Sequence, residues 1–195
     1  IALVYPVSSI GPRLDARFSK DVKTLNGMSY LSSQPSFARY DGGLDAEPST
    51  IRIGEDLELI NWFRSSVPGS PTIVEWAGLS YDWNSRISIY TGLPTVLGWS
   101  SHQRQQRLDY QDMVSERKLA VQNFYVSQNH EYMTNFLLTY DVSYIVVGVQ
   151  ERRFVSSEAL TYLGQHPGIS QAFRGQFYSI YRVDKSILWE LTKTI

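Results

Sequence analysis

The stretch of sequence that decides the fold is Thr72-Ile73-Val74-Glu75-Trp76-Ala77. It is short and rich in β-branched residues, which predicts a buried strand at the centre of a sheet. The preceding residues 56–67 carry apolar side chains at helical spacing, and Glu55 and Asp56 suit a helix start. The run Pro68-Gly69-Ser70-Pro71 then ends that helix, because proline cannot continue one. A helix that leads directly into a buried strand indicates an α/β arrangement.

Downstream of this strand the sequence predicts two helices and a second strand. Residues 114–125 and 132–140 place apolar side chains along one face, and Asn129 is a suitable N-cap for the second helix. Residues 142–147 are apolar and β-branched, as in a buried strand. Because helices lie between the two strands, we expect the strands to be parallel neighbours joined by a right-handed crossover.

The remaining residues predict one more helix and an antiparallel pair. Ser157 is expected to cap a short helix that Gly164 closes, and this second helical interval favours another parallel neighbour. Residues 173–183 alternate in polarity, which indicates an antiparallel hairpin or edge strand, and residues 187–191 form a final amphipathic turn. The predicted fold class is therefore α/β, a small mixed β-sheet packed with helices in a single domain.

The N-terminal part of the chain has a different composition. Residues 8–50 are rich in Ser, Gly, Pro and Asp, and they contain turn signals at Asn26-Gly27 and Asp41-Gly42-Gly43. Residues 1–7 are apolar but far shorter than the ~20 residues that span a bilayer. They are either a first strand or the end of a preceding segment. We predict an extended, loop-rich lead-in over residues 1–50 and a mixed α/β domain over residues 51–195.

Composition and missing motifs exclude several functions. Eighteen basic and nineteen acidic residues give a net charge of −1, so we expect no nucleic-acid partner. The absence of cysteine excludes disulfides, thiolate nucleophiles, iron–sulfur clusters and zinc fingers. The three histidines are far apart in sequence, and no nucleophile elbow, phosphate loop or dinucleotide fingerprint occurs. We therefore predict no metal and no cofactor. Glu75 and Asp82 are candidates for an acid–base pair, although isolated carboxylates in such positions are more often structural.

The stretch from Arg86 to Arg107 carries the candidate binding residues. It combines glycine and proline with aromatic and basic side chains, as loops with a binding function often do. An exposed indole can stack on a sugar ring, while imidazole and guanidinium groups supply hydrogen bonds or anion contacts. The alternative is that Leu93, Val96, Leu97 and Trp99 bury against the sheet and the loop is structural. The predicted binding residues are Tyr90, Trp99, His102, Arg104 and Arg107.

The same stretch also resembles a family signature. It reads Ser85-Arg86-Ile87-Ser88-x-Tyr90-Thr91-Gly92-Leu93-Pro94-Thr95-Val96-Leu97-Gly98-Trp99-x-x-His102-x-x-x-x-Arg107. This pattern resembles the YYY family of large polytopic prokaryotic membrane proteins, which are distantly similar to GT-C membrane glycosyltransferases that use polyprenyl-phosphate sugars. Further similarities are Val74-Glu75, Tyr140-x-Val142-x-Tyr144-Ile145-Val146-Val147-Gly148-x-x-Glu151-Arg152 and Tyr178-Ser179-Ile180-Tyr181-Arg182-Val183. One departure is Gln103, where the family has Glu after the histidine; an amide cannot ionise, so this protein lacks any acid role of that Glu.

The resemblance implies an extracytoplasmic soluble domain that follows the last membrane helix of a polytopic membrane protein. The membrane-spanning remainder of the same chain is then a partner, and the catalytic acid of a GT-C enzyme lies in a loop between membrane helices. Three functions stay open at this point. In the first, the domain is a non-catalytic, substrate-facing accessory of a membrane glycosyltransferase and contacts a glycan or polyprenyl-phosphate sugar. In the second, it is an interaction or structural domain that transfers nothing. In the third, it is a self-sufficient enzyme. The failed motif search argues against the third.

Overall fold

The computed structural model describes residues 4–17, 24, 26–33, 37–40, 48–80 and 82–193. The chain divides into two compact units, Ile1–Gly54 and Glu55–Ile195. The predicted domain boundary at residue 50 stays a prediction. Of residues 1–7, the first three lie outside the described residues, as does the turn at Asp41-Gly42-Gly43. Residues 4–7 are helical, so the alternative of a first strand is wrong for them.

The first unit contains regular structure that the sequence did not predict. Its elements are the helices α1 (Val4–Arg17) and α2 (Tyr30–Ser33) and the strands β1 (Phe37–Tyr40) and β2 (Pro48–Ile51). The two strands are antiparallel, with Phe37 opposite Ile51. Residues 8–17 were expected to be loop-like because of their Ser, Gly and Pro content. The helix α1 continues through Pro12, an interior position that proline seldom occupies, so the residue types alone do not predict this helix.

The second unit alternates helices and strands around one sheet. The bounds of its elements are α3 (Asp56–Ser66), β3 (Thr72–Val74), α4 (Arg86–Thr91), α5 (Ser100–Gln106), α6 (Gln111–Val126), α7 (His130–Thr139), β4 (Val142–Val147), α8 (Val149–Phe154), α9 (Ser157–Gly164), β5 (Ile169–Arg174), β6 (Ser179–Val183) and α10 (Lys185–Thr192). Single 3-10 turns lie at Ile53–Glu55, across the unit boundary, and at Leu108–Tyr110. The predicted α/β class, a mixed sheet packed with helices, is confirmed.

The sheet has the strand order β3-β4-β6-β5. β3 and β4 are parallel neighbours, as predicted, and β5 and β6 form the predicted antiparallel hairpin. The second expected parallel pair is wrong, because β6 lies between β4 and β5 and is antiparallel to both. β5 and β6 are joined by a short turn and pair with each other. Because β6 also pairs with β4, β5 cannot be the neighbour of β4.

The strand β3 lies at the edge of the four-stranded sheet, so the prediction of a central strand is also wrong. Its outer side is nevertheless covered by the backbone of the following loop. The N–H of Ile73 donates to the carbonyl of Pro94 at 2.8 Å, and the N–H of Val96 donates to the carbonyl of Ile73 at 3.1 Å. These bonds satisfy the edge and explain why its β-branched residues are as buried as those of a central strand.

Helices on the sheet enclose the apolar core of the second unit. The side chain of Asn129 accepts the N–H of Tyr132 at 3.0 Å, which confirms it as the cap of α7. The cap of α9 is Ser156 rather than Ser157, and its hydroxyl accepts the N–H of Ala159. The largest buried members of the core are Tyr125, Phe124, Trp76, Met133, Phe136, Leu97 and Ile145.

Candidate functional site

The first feature of the site is an arginine in the protein interior. Arg86, at the start of α4, is 1% exposed and lies among three buried carboxylates. Its Nε is 2.7 Å from Oδ2 of Asp56, and its Nη2 is 2.7 Å from Oε2 of Glu151. Nη1 donates to Oε1 of Glu151 at 3.0 Å and lies 3.4 Å from Oε2 of Glu75. The bidentate pair with Glu151 is the strong, planar geometry that guanidinium and carboxylate groups favour.

Glu151 joins this cluster to the sheet. Its Oε1 accepts the N–H of Trp76 at 2.7 Å, and its Oε2 accepts the N–H of Gly148 at 2.8 Å. Burial opposes ionisation of Glu151, but the positive charge of Arg86 and these two N–H donors lower its pKa below the usual value. Glu151 therefore links the residues that follow β3 and β4 directly, and its ion pair with Arg86 attaches the start of α4 to them.

The third carboxyl group of the cluster, Glu75, is disfavoured in its charged form. Burial raises its pKa to about 7, although Arg86 and the N–H groups of Ser88 and Ile87 favour the carboxylate. Among the described residues, a single guanidinium thus faces Asp56, Glu75 and Glu151 in the interior, and this group of side chains has an excess of negative charge. The sequence-based alternative of an acid–base pair between Glu75 and Asp82 receives no support, since Glu75 contacts Arg86 and the backbone of α4 instead.

Gly148 allows the ion pairs to pack against the backbone, and we predict that Gly148→Ala destabilises the protein. A Cβ at this position would lie 2.5 Å from both Nη2 of Arg86 and Oδ1 of Asp56. These atoms are held by buried ion pairs, and moving them aside would break those pairs. We therefore expect a loss of about 2 kcal/mol in the free energy of unfolding. Urea denaturation measures this loss.

The matched control for Gly148→Ala is Gly164→Ala. The Cβ added there would lie 3.0 Å from the hydroxyl of Tyr181, the far end of a half-buried side chain that is in no buried ion pair of the described residues. Gly164 is the last residue of α9, where alanine favours the helix, and we expect no loss of stability. A Gly148→Ala protein as stable as this control would contradict the assigned packing.

The predicted binding residues extend from this anchored helix α4. Tyr90 lies on α4, half-buried, with its ring centroid 5.8 Å from that of Trp83. Trp99 precedes α5, is also half-buried, and donates from Nε1 to the carbonyl of Asn84 at 2.9 Å. His102 packs edge-on against Trp99, with ring centroids 5.3 Å apart. The structure therefore brings Trp99 and His102 together, as the binding hypothesis requires.

Part of this loop has the structural role that the alternative interpretation predicted. Leu93, Val96 and Leu97 are buried, with exposed fractions between 2% and 6%. These three side chains fix the loop against the core, whereas Trp99 and residues 101–107 keep access to solvent. The loop has a structural half and an accessible half, and only the second half is a candidate for binding.

A cavity of about 270 Å³ lies between α5 and the start of α6. Arg107 lines it, while Arg104 is exposed on α5 and does not. The sequence analysis missed the other lining residues, which the i, i+3 and i, i+4 spacing on a helix could have revealed. The full lining is Gln103, Arg107, Tyr110, Met113, Val114 and Arg117.

The cavity has two basic side chains and an apolar wall. Tyr110 and Met113 belong to the apolar wall and are 57% and 46% exposed. The acidic residues of this segment, Asp109, Asp112 and Glu116, are not part of the lining. The charge on the cavity is therefore positive, and its chemistry suits an anion attached to an apolar group.

Within the described residues, no group of three or more His, Asp or Glu side chains is arranged to hold a metal ion. His130 and His166, distant in sequence, have ring centroids 4.9 Å apart. Nδ1 of His166 accepts the N–H of Gly168, and its Nε2 lies 3.0 Å from the hydroxyl of Thr134.

The helices of the described residues are all too short or too polar to span a bilayer.

The sequence matches no protein-family model and no curated protein. The chain is similar in structure to the C-terminal globular domain of an oligosaccharyltransferase from Archaeoglobus fulgidus, with a TM-score of 0.41 and 10% sequence identity. The similar region covers 65% of this chain and 94% of that domain. A similarity of this size carries no conclusion about the function of the present chain. The resemblance to the YYY family stays a prediction.

Proposed function

We propose that this chain is an extracytoplasmic domain of a polytopic membrane protein of the YYY type and serves a GT-C-like glycosyltransferase as an accessory, substrate-facing domain. The observation that supports this most directly is the cavity lined by Arg107 and Arg117, with an apolar wall. In this proposal the domain binds part of a polyprenyl-phosphate sugar and performs no transfer itself. Its partner is the membrane-spanning remainder of the same chain.

The geometry suits the three parts of such a ligand. Guanidinium groups bind phosphate oxygens with paired N–H donors, and Arg107 and Arg117 supply two of them. The exposed side chains of Tyr110 and Met113 offer apolar contact to a prenyl chain. Trp99 and His102, packed together before and within α5, offer an aromatic surface and an imidazole to the sugar.

The second candidate function is an interaction or structural domain that binds no glycan. Arg86 and its three carboxylates support this candidate, because they explain the first part of the family-like motif by folding alone. The two candidate functions predict different roles for Arg107. Among the described residues, no buried ion pair gives this arginine a structural role. Arg107 is exposed at the C-terminal end of α5.

The test compares binding of the purified chain to vesicles of phosphatidylcholine that contain a polyprenyl-phosphate-linked hexose, or phosphatidylglycerol in its place. We expect binding to the first kind of vesicle, and at least a tenfold weaker binding by Arg107→Ala, because a charge-assisted hydrogen bond contributes about 1.5–3 kcal/mol. His102→Ala is expected to weaken binding as well. Both variants should keep their free energy of unfolding within about 0.5 kcal/mol of the wild type, as surface substitutions do.

Arg174→Ala is the matched control, since Arg174 is also exposed but lies on β5. This variant should bind as the wild type does. Equal binding to the phosphatidylglycerol vesicles, or unchanged binding by a folded Arg107→Ala protein, would contradict the proposed function and favour the structural candidate.

A further inference from the structure

An open groove of about 500 Å³ lies between the helix α3 and the edge strand β5. Two aromatic and four polar side chains line it, and it shares no lining residue with the cavity of Arg107. We call it the α3–β5 groove. Its lining residues are Glu58, Asn61, Trp62, Arg64, Ser65 and Phe173.

The helix α3 presents one of its faces to this groove. Glu58, Asn61, Trp62 and Ser65 are spaced i, i+3, i+4 and i+7, which places them along one side of the helix. Glu58, Asn61 and Ser65 are exposed, and Trp62 is half-buried. The groove therefore combines an indole with hydrogen-bonding side chains that solvent, and hence a ligand, can reach.

A β-bulge turns Phe173 towards the same groove. Gln171 is opposite Tyr181 but Phe173 is opposite Ile180, so β5 contains one extra residue at this point. Without that residue Phe173 would be opposite Ser179 and on the other face of the sheet, because side chains alternate along a strand. Bulges often redirect a side chain beside a functional site, and here the bulge brings the phenyl ring to the side of α3.

The aromatic part of the groove is a stack of three rings. The ring centroids of Trp62 and Phe173 are 5.6 Å apart with 19° between the planes, and those of Phe173 and Tyr178 are 5.9 Å apart with 25°. The hydroxyl of Tyr178 donates to the carboxylate of Glu58 and so holds it beside the stack. A carboxylate accepts several hydrogen bonds, so Glu58 keeps acceptor sites for a ligand.

We propose that the α3–β5 groove binds a neutral oligosaccharide. A sugar ring has a face of C–H groups and an edge of hydroxyl groups, and the groove offers aromatic rings to the first and polar side chains to the second. Glu58 accepts from hydroxyl groups, and the amide of Asn61 both donates and accepts. The charged members of the lining, Glu58 and Arg64, have opposite signs, which favours a neutral ligand over an anion.

This site differs from the one in the proposed function. The cavity of Arg107 has two basic side chains and suits an anion, whereas the α3–β5 groove suits an uncharged chain of sugars and is open enough for the chain to continue on either side. The oligosaccharide site does not depend on the proposed function, and neither result decides the other.

NMR titrations of the purified chain with maltohexaose, cellohexaose and chitohexaose test this site. The protein has five tryptophans, so proton–nitrogen correlation spectra show each indole N–H as a separate signal, and the signal that Trp62→Phe removes belongs to Trp62. We expect at least one of the sugars to shift this signal in a saturable manner. The signal should not depend on protein concentration, as it would if a second copy of the chain covered the groove.

Two variants locate the site, and a third is the control. Asn61→Ala removes an exposed amide and should weaken sugar binding about three- to tenfold, as expected for the loss of a neutral hydrogen bond. Trp62→Leu should weaken it at least tenfold, and Asn61→Ala decides the question if that variant does not fold. Gln165→Ala removes an exposed amide at the end of α9 and should bind as the wild type does.

Three results would overturn the oligosaccharide site. The first is the absence of a saturable shift with all of the sugars. The second is an unchanged affinity in the folded Asn61→Ala protein. The third is a Trp62 signal that responds to protein concentration instead of to sugar, which would make the groove an interface between copies of the chain.

Discussion

Replacing Arg86 with methionine is expected to lower the free energy of unfolding by about 4 kcal/mol. Methionine has a similar length and is apolar, so the change leaves little empty space but removes the cation that pairs with three buried carboxylates. Breaking a buried ion pair by removal of one partner costs about 3–5 kcal/mol, because the remaining charge is left without solvation. Chemical denaturation followed by tryptophan fluorescence measures the loss.

Two further variants separate charge from geometry at this position. Arg86→Lys keeps the charge but cannot make the bidentate contact to Glu151, and we expect an intermediate loss of stability. Arg174→Met makes the same chemical change at an exposed position on β5 and should alter stability by at most about 0.5 kcal/mol. An Arg86→Met protein that is as stable as the Arg174→Met protein would show that the cluster is not a structural anchor.

The sequence predicted those elements of the fold whose determinants are local. The helix α3, the cap at Asn129 and the strand β4 all follow from periodicity or from a residue type at one position, and the structure confirms them. The position of β3 at the sheet edge could not be predicted in this way. It depends on the hairpin β5–β6, because β6 takes the place on the other side of β4 and lies more than 100 residues beyond β3 in the chain.

The same distinction holds for the candidate site. Two partners of Arg86, Asp56 and Glu151, lie 30 and 65 residues away in the chain, and no local pattern connects this arginine to either of them. The one local signal was Glu75, a charged residue that follows the apolar run of β3. Arg107 was predicted as a binding residue, but Arg117 was not, because its role depends on how α6 packs against α5 to form the cavity.

The pH dependence of stability is expected to identify Glu75 as the carboxyl group that the fold disfavours in its charged form. Its pKa is raised from 4.5 to about 7, chiefly by burial. The folded protein then binds the proton more tightly than the unfolded chain does. Stability from this group is complete below pH 4.5, falls between pH 4.5 and about 7, and stays constant above that range. The total loss is about 3 kcal/mol.

Glu75→Gln isolates this contribution, because glutamine is neutral at every pH. The carboxylate accepts the N–H groups of Ile87 and Ser88 with its two oxygens, whereas an amide places its NH₂ group against one of these donors. The variant therefore loses stability by an amount that does not change with pH. The wild type should therefore be the more stable protein at pH 5, and its advantage should shrink by about 2 kcal/mol at pH 8. Other titrating groups, such as Glu151 and His166, cancel in the difference to the extent that their pKa values are unchanged. Denaturation curves of both proteins at the two pH values provide the measurement. A difference in stability that stays constant between pH 5 and pH 8 would show that Glu75 is ionised throughout, and that Arg86 and the backbone N–H groups outweigh the cost of its burial.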